Sequence, residues 1–364
     1  MKIAYFLNTF KSSNWGGQAT SNGVKYLLSK EYPNVEFCPL DLPELRFKKI
    51  KLLRTWHEKK LIKSLLDDDS KGVIKQLERL NINEDIFDSY THICFNGEGA
   101  IHHRSGHLVR LMGLLYLANL KNKKVASINQ TLDFAGDKKL ESLVSKVYNM
   151  CDFVSVREPI SHELAIKIGI KKCKLIPDGV YGLPIMSKDE IKSKIEKYRL
   201  PNRYITLTGS SALKRDKKSL ELMSNVIKAI QKAYGDVLIL FMASAKTDVF
   251  LAQNLKNRFG LRVIDSSNAD YKEAMAIFAN SMLLVGGRQH PNIFAYIYKV
   301  PYIALEGNTF KNSGVAKLQN YPIAPLSWSS SFDEIYNTIE SIQKRDIEFR
   351  DIKIESFDLF GEER

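Results

Sequence analysis

Several features that would assign a protein quickly are lacking from this 364-residue sequence. No apolar run is long enough to cross a membrane. The start, MKIAYFLNTF, lacks a small-residue cleavage site and therefore predicts a first β-strand rather than a signal peptide. The cysteines do not have metal-ligand spacing and are scattered at Cys38, Cys94, Cys151 and Cys173. They predict reduced core thiols in a cytoplasmic protein.

Acidic residues are scarce relative to basic ones, with 41 Asp and Glu against 54 Lys and Arg, and the net charge is +13. Such an excess requires anionic partners, for which nucleic acid, anionic lipid and phosphorylated small molecules are the candidates. The sequence lacks a recognition-helix motif, a ribonucleoprotein-type aromatic strand and zinc-knuckle spacing. We therefore do not expect a nucleic-acid partner.

Basic charge peaks between Arg46 and Lys63, where Glu58 is the single acid. Apolar and aromatic residues, among them Trp56, are interleaved with the basic ones. This pattern suits a helix that lies on the anionic inner face of a membrane as a peripheral contact. The alternative is a surface helix that packs on its own domain with solvated lysines.

Strand-like and helix-like segments alternate almost throughout the chain, which predicts an α/β fold with parallel sheets and helices on both faces. We predict two doubly wound Rossmann-like domains, residues 1–185 and 203–330, that face each other across a cleft. The charged segment 186–202 reads as a linker helix. Residues 331–364 are predicted to form a C-terminal helix and a polar tail.

The most informative segment is GGRQH, which connects a strand-like run to a helical one. Ligands bind outside the carboxyl ends of strands in open α/β sheets, and helix starts attract anions. Gly287 permits close approach, Arg288 can fork onto a carboxylate or phosphate, and His290 can carry a proton near neutral pH. The alternative is a surface ion pair and a helix cap.

Asn14, Gly16 and Gly17 form a glycine loop before the first helix. The third glycine of the dinucleotide fingerprint is missing at its proper spacing. The loop is a candidate anion cradle or acceptor-sugar contact, or else an ordinary turn with a helix cap.

A second glycine-rich strand end reads NGEGAIHH, in which Gly97 and Gly99 bracket Glu98. Glu98 and His102 are candidate general bases for a sugar hydroxyl. We do not expect a metal here, because His102 and His103 are adjacent and point in different directions.

Further strand ends carry charged or small residues. Arg157 is a candidate anion ligand, or it is neutralised by Glu158 or Asp178, and Asp178 is either a turn former or a cleft carboxylate. In the second half, Gly209 and Ser210 form a candidate phosphate-facing turn.

The last strand end contains Glu306, Asn308 and Lys311. The lysine suits a phosphate as a point charge.

In the order and spacing of its short motifs, from about residue 1 to 320, the sequence resembles the polysaccharide pyruvyl transferase family. The corresponding segments are NWGG, NGEGA, FVSVREPISHELAIKIGI with KLIPDGV, the segment around GGRQH, and a Lys-x-x-Gly from Lys311 to Gly314. Two departures are Gln289, where an aliphatic residue is usual, and Glu98, where the family often has a third glycine.

The resemblance implies a GT-B-like fold and transfer of a pyruvyl group from phosphoenolpyruvate to a sugar diol, giving a cyclic ketal and phosphate. The N-terminal domain would be the acceptor side and the C-terminal domain the donor side. Phosphoenolpyruvate would be a substrate, and we expect no further cofactor. Arg288 and His290 would be donor-site residues, with Arg157 and Lys311 as further anion ligands. The acceptor would be a sugar or a lipid-linked oligosaccharide of a cell-surface polymer.

Two other functions remain open at this point. A nucleotide-sugar glycosyltransferase on the same fold would use Glu306 for a ribose and the Gly209 turn for a diphosphate. A non-catalytic polysaccharide-binding protein would need no anion cluster.

Overall fold

The computed structural model describes residues 1–44, 50–103, 105, 107–213, 216–354 and 356–361. Its chain divides into two compact units. Unit 1 comprises Met1–Asn8, Lys25–Asp178 and Ile354–Arg364, and unit 2 comprises Thr9–Val24 and Gly179–Lys353. The chain thus changes unit after Asp178, whereas the sequence placed this boundary at residue 185. Two short segments belong to a different unit from the residues next to them in the chain. Residues 9–24 are part of unit 2, and residues 354–364 are part of unit 1.

Unit 1 is built on a six-stranded parallel sheet with strand order β2-β1-β3-β5-β7-β8, and β4 and β6 form a separate parallel pair. The strands are β1 Lys2–Phe6, β2 Glu36–Leu40, β3 His92–Asn96, β4 Ile101–His102, β5 Lys124–Gln130, β6 Leu132–Asp133, β7 Phe153–Val156 and β8 Cys173–Leu175. The central strands are almost continuously buried because helices cover both faces of a parallel sheet.

The first six helices alternate with these strands. They are α1 Trp15–Glu31, α2 Lys51–Leu66, α3 Ser70–Arg79, α4 Leu108–Leu120, α5 Lys138–Tyr148 and α6 Pro159–Lys167. Helix α1 begins in unit 2 and ends in unit 1. The buried residues of α2 are His57, Leu61 and Leu65, which recur at every fourth position and face the core of unit 1.

Unit 2 contains a five-stranded parallel sheet with strand order β11-β10-β9-β12-β13. Its elements, in chain order, are α7 Lys188–Ile195, β9 Tyr204–Ser210, α8 Lys217–Tyr234, β10 Leu238–Ala243, α9 Val249–Phe259, β11 Arg262–Asp265, α10 Tyr271–Ala279, β12 Leu283–Gly287, α11 Gln289–Ile297, β13 Tyr302–Ala304, α12 Lys311–Gln319 and α13 Phe332–Lys344. The prediction of an α/β fold with parallel sheets is therefore confirmed.

The predicted linker and the end of the predicted C-terminal tail each belong to one of the two units. Helix α7 lies in the predicted linker 186–202, begins at a capping box formed by Ser187 and Glu190, and is part of unit 2. The polar tail is anchored in unit 1, where the Tyr32 hydroxyl donates to Asp358 Oδ1 at 2.7 Å. Buried apolar residues explain this anchoring, since Phe357 and Leu359 are almost fully removed from solvent.

Across the described ranges, none of the helices combines the length and apolarity required to cross a bilayer.

Candidate functional site

The carboxyl ends of β9, β12 and β13 meet at one edge of the sheet of unit 2. The β12–β9 register shifts between Gly286 and Gly287, so the strand bulges where it reaches the edge. A Cβ on Gly286 would overlap Thr208, and a Cβ on Gly287 would overlap Ser210. Glycine is therefore required for the close approach of these strand ends, and it leads the chain directly into Arg288.

Arg288 is held by a buried carboxylate that sequence reasoning missed. Its Nη2 donates to Asp248 Oδ1 at 2.6 Å, and its Nε lies 3.2 Å from both Asp248 oxygens. Thr247 Oγ1 accepts a further hydrogen bond from Nη2. The Arg288 side chain is 12% exposed and that of Asp248 is 1% exposed. Arg288 therefore has a fixed orientation, and within the described part of the chain its Nη1 makes no hydrogen bond.

Gly209 makes room for this ion pair. A Cβ at Gly209 would overlap the carboxylate of Asp248. The predicted phosphate-facing turn at Gly209 thus borders Asp248. Burial, the largest influence, raises the pKa of Asp248, and the Arg288 guanidinium opposes this rise. The position of Thr247 and Asp248 after the strand-like run VLILFMA could have marked them as candidate site residues. Polar residues are common after strands, however, so the position alone does not identify a partner for Arg288.

His290 lies in the first turn of α11 and is 9% exposed. Its Nε2 lies 2.9 Å from Thr20 Oγ1, a fully buried hydroxyl on α1. A Cβ on Gly16 would overlap the His290 ring at Nδ1. The imidazole therefore packs against the start of α1, in contact with Thr20 and against the surface left open by Gly16.

The rest of the predicted glycine loop forms the beginning of α1. Asn14 Oδ1 accepts from Gly16 N at 3.0 Å, as in a helix cap, and the Gly17 carbonyl accepts from Thr9 Oγ1 at 2.7 Å. Of this loop, Gly16 is the residue that the structure brings to His290.

Lys311 lies in a polar cluster beside the end of β13. Its Nζ donates to Ser211 Oγ at 2.9 Å and to Asn308 Oδ1 at 3.0 Å. The predicted phosphate-facing residue Ser210 instead donates its hydroxyl to the Glu306 carbonyl at 3.0 Å. Glu306, the predicted ribose contact of a glycosyltransferase, is an exposed residue.

Two helix starts at this edge, those of α11 and α12, have no side-chain cap among the described residues. By contrast, α8, α10 and α13 are capped by Asp216, Asp270 and Ser331. Three buried polar atoms of α11 and α12 also lack a hydrogen-bond partner in the described structure, namely Gln289 Nε2, Asn292 Oδ1 and Asn312 Oδ1. Uncapped helix starts beside Arg288 and Lys311 are suited to an anion.

The corresponding edge of unit 1 contains a run of strained backbone. Leu7, Glu98 and Asn129 follow or end the adjacent strands β1, β3 and β5, and their φ angles are 56°, 37° and 62°. Glycine adopts this left-handed region without strain, whereas a residue with a side chain, such as Glu98, is strained there. The Glu98 side chain is held in place, because its Oε1 accepts from Asn96 Nδ2 at 3.0 Å.

The remaining predicted residues of this strand end differ in surroundings. Gly97 is buried, and a Cβ there would lie 2.5 Å from Gln130 Oε1, whereas Gly99 is exposed with open space around it. His102 ends the short strand β4 and is half-buried. Its neighbour His103 places Nδ1 3.8 Å from Asp133 Oδ1. A search of the described residues finds no group of three or more His, Cys, Asp or Glu residues that could hold a metal ion.

Arg157 forms a buried ion pair with Asp178. Its Nη1 donates to Asp178 Oδ2 at 2.8 Å, its Nε donates to Thr131, and both charged side chains are almost fully buried. Glu158 instead caps α6 by accepting from Ser161 N. Of the two partners that the sequence allowed for Arg157, the structure selects Asp178.

The described part of the basic segment, from residue 50 onward, begins with Ile50 and helix α2; residues 46–49 lie outside the described residues. The second half of α2 packs on unit 1, as the alternative interpretation held. Its first half and the preceding N-cap residue expose large apolar side chains, which are 56% exposed at Ile50, 87% at Leu52 and 49% at Trp56. Lys60 Nζ lies 3.6 Å from the centroid of the Trp56 ring.

Comparisons with known proteins agree with this architecture. The family model for polysaccharide pyruvyl transferase matches residues 14–309. No individual curated protein matches the sequence significantly.

Among solved structures, a putative UDP-N-acetylglucosamine 2-epimerase from Listeria monocytogenes is similar at a TM-score of 0.61 and 10% identity, covering 94% of this chain and 88% of that one. The UDP-GlcNAc 2-epimerase from Methanocaldococcus jannaschii, in complex with UDP-GlcNAc and UDP, is similar at 0.59 and 14% identity, covering 96% and 95%. At such identities the likeness shows the fold, which is of the GT-B type.

Proposed function

This chain belongs to the polysaccharide pyruvyl transferase family and is a transferase, and we propose that it moves a pyruvyl group from phosphoenolpyruvate to a sugar diol. The observation that carries the proposal is the setting of Arg288. Asp248 fixes the guanidinium at the edge of unit 2, beside the uncapped start of α11, and Nη1 is left for a ligand. His290 lies two residues further on in the same helix.

Phosphoenolpyruvate carries a phosphate and a carboxylate, and unit 2 offers donors for both. Arg288 Nη1 can donate to an oxyanion, and Lys311 adds a point charge beside Ser211 and Asn308. The N–H groups at the starts of α11 and α12 add partial positive charge. We propose that this cradle binds the donor and holds the phosphate as it leaves.

The proposed reaction needs one proton donor and two hydroxyl groups. His290 protonates the methylene carbon of phosphoenolpyruvate, and the first sugar hydroxyl forms a C–O bond to the adjacent carbon as it loses its proton to a base. The second hydroxyl then replaces phosphate at that carbon, transfers its proton to the departing phosphate and closes the ketal. Glu98 and His102 are the candidates for the base.

We expect phosphoenolpyruvate to raise the melting temperature of the protein, because a ligand that binds the folded state stabilises it. Arg288→Ala should abolish the shift, since it removes the fixed oxyanion ligand. Arg203→Ala, at an exposed arginine of the same unit, is the matched control and should leave the shift intact. Stabilisation by UDP and not by phosphoenolpyruvate would replace this proposal with a nucleotide-sugar glycosyltransferase.

We also propose that the exposed start of α2 makes a peripheral contact with an anionic membrane surface. Four of the large exposed apolar side chains lie within seven residues, at Ile50, Leu52, Leu53 and Trp56. Lys51, Lys59 and Lys60 are exposed on the same helix. Apolar side chains that enter the lipid boundary and lysines that meet anionic headgroups act together in such contacts.

The protein should therefore sediment with vesicles that contain phosphatidylglycerol but not with vesicles of phosphatidylcholine alone. High salt should weaken sedimentation because it screens surface charge. Replacing both Leu52 and Trp56 with glutamate should abolish it, whereas Ile166→Glu, at an exposed isoleucine of unit 1, should not. Equal sedimentation with both vesicle types, or with neither, would refute the contact.

A further inference from the structure

A basic cluster that is buried at Arg110 and exposed at His107 lies between α2 and α4 of unit 1. Arg54 and Glu58 are one turn apart on α2, and His107 and Arg110 flank the start of α4. Arg110 is 4% exposed, and the side chains of Arg54 and Glu58 are 26% and 18% exposed. The proposed donor chemistry of unit 2 makes no use of these residues.

The cluster has hydrogen-bonding groups that the protein does not satisfy. Arg110 Nη2 donates to His107 Nδ1 at 2.8 Å, and Arg54 Nε lies 3.7 Å from Glu58 Oε1. In the described structure, the Nε atoms of Arg54 and Arg110 and Glu58 Oε1 are buried without a hydrogen-bond partner. Two buried guanidinium N–H groups without a partner are costly unless a ligand or water accepts from them.

The charge of the cluster is positive. Two arginines face a single acid, Glu58, whose pKa is raised by burial and lowered less strongly by Arg54 and Arg110. Partial burial of its imidazole lowers the pKa of His107, although the residue as a whole is exposed, and Arg110 and Arg54 lower it further. Because His107 Nδ1 accepts from an arginine, the neutral ring carries its hydrogen on Nε2.

The start of α4 adds to this positive field. The helix is 13 residues long and has no acid in its first turn. His107 is its N-cap residue but makes no side-chain cap within the described part of the chain. The contact from Arg110 to His107 places a guanidinium at this helix start, where the N–H groups and the helix dipole favour an anion.

We infer that Arg54, His107, Arg110 and the start of α4 form a binding site for a phosphate group, separate from the Arg288 site. The two Nε–H groups and the backbone N–H groups of α4 would donate to the oxyanion, which would balance the excess positive charge. The phosphate would come from a soluble phosphate ester or from a lipid headgroup. The site lies wholly in unit 1, so its failure would leave the proposed donor chemistry untouched.

The site can be tested through the ionisation of His107 in protein with carbon-13-labelled histidine. The sequence has seven histidines, and His107→Asn identifies the signal. Inorganic phosphate, titrated at constant ionic strength, should raise the pKa of His107, because a bound anion opposes the two arginines. A water-soluble short-chain phosphatidic acid, titrated in parallel, should bind more tightly than phosphate if the natural ligand is lipid, and no better if it is a soluble ester.

Arg110→Gln should weaken the phosphate response of His107 at least tenfold. Arg54→Gln, at a less buried position, should do the same if the first variant does not fold. Lys59→Gln, on the exposed face of α2, and Arg288→Ala in unit 2 should leave the response unchanged. A His107 pKa that does not respond to phosphate, or a response that survives both arginine substitutions, would overturn the inference.

Discussion

Replacing His290 with glutamine is expected to lower turnover with phosphoenolpyruvate by about 10²- to 10⁴-fold, the range of a lost general acid. The affinity for phosphoenolpyruvate should change only a few-fold, because the proposed role of His290 lies in the transition state. Glutamine keeps a polar group that can reach Thr20, which lies 2.9 Å from the imidazole. Steady-state rates and donor binding, measured on the same preparation, separate the two effects.

Thr20→Val serves as the companion to this substitution. It removes the hydroxyl that contacts His290 Nε2 but keeps the imidazole, so we expect a smaller loss of turnover. A His290→Gln enzyme that turns over within a few-fold of wild type would show that another residue is the acid. His102 and Glu98 would then be the next residues to test.

The second large effect is expected at Asp248. Asp248→Ala should lower the free energy of unfolding of unit 2 by about 3 kcal/mol, because it leaves the largely buried Arg288 without its counter-charge. For a unit of this size that corresponds to a fall of roughly 6 to 12 °C in melting temperature. The affinity for phosphoenolpyruvate should fall as well, since Arg288 is no longer oriented.

Asp248→Asn is the matched variant. It keeps the shape of the side chain against Gly209 but removes the charge, so stability should fall less while donor affinity still falls. Thermal melts and donor titrations of the two variants separate packing from orientation. Unchanged donor affinity in Asp248→Ala would show that the ion pair does not position Arg288 for the donor.

Local sequence patterns predicted the α/β architecture because buried parallel strands are continuous apolar runs and the intervening helices have a clear period. They also identified the strand ends, since Arg288 directly follows β12 and Glu98 follows β3. The assignment of residues 9–24 to unit 2 and of residues 354–364 to unit 1 could not be predicted from local patterns, because it depends on tertiary packing.

Local sequence patterns could not predict the partners of the charged residues, because these partners lie far away in the sequence. Arg288 pairs with a residue 40 positions earlier, and His290 contacts Thr20 across 270 positions. For Arg157 the sequence indicated two possible carboxylate partners, Glu158 and Asp178, and did not discriminate between them. The structure decides for Asp178 because Glu158 is used as a helix cap.

The central claim, that phosphoenolpyruvate is the donor, is tested most directly by a donor screen with the purified protein and a sugar-diol acceptor. Phosphoenolpyruvate and UDP-sugars are supplied separately, and free phosphate and free UDP are measured in each reaction. We predict acceptor-dependent release of phosphate from phosphoenolpyruvate, lost in His290→Gln, and no release of UDP. Release of UDP from a UDP-sugar, with phosphoenolpyruvate left intact, would contradict the claim.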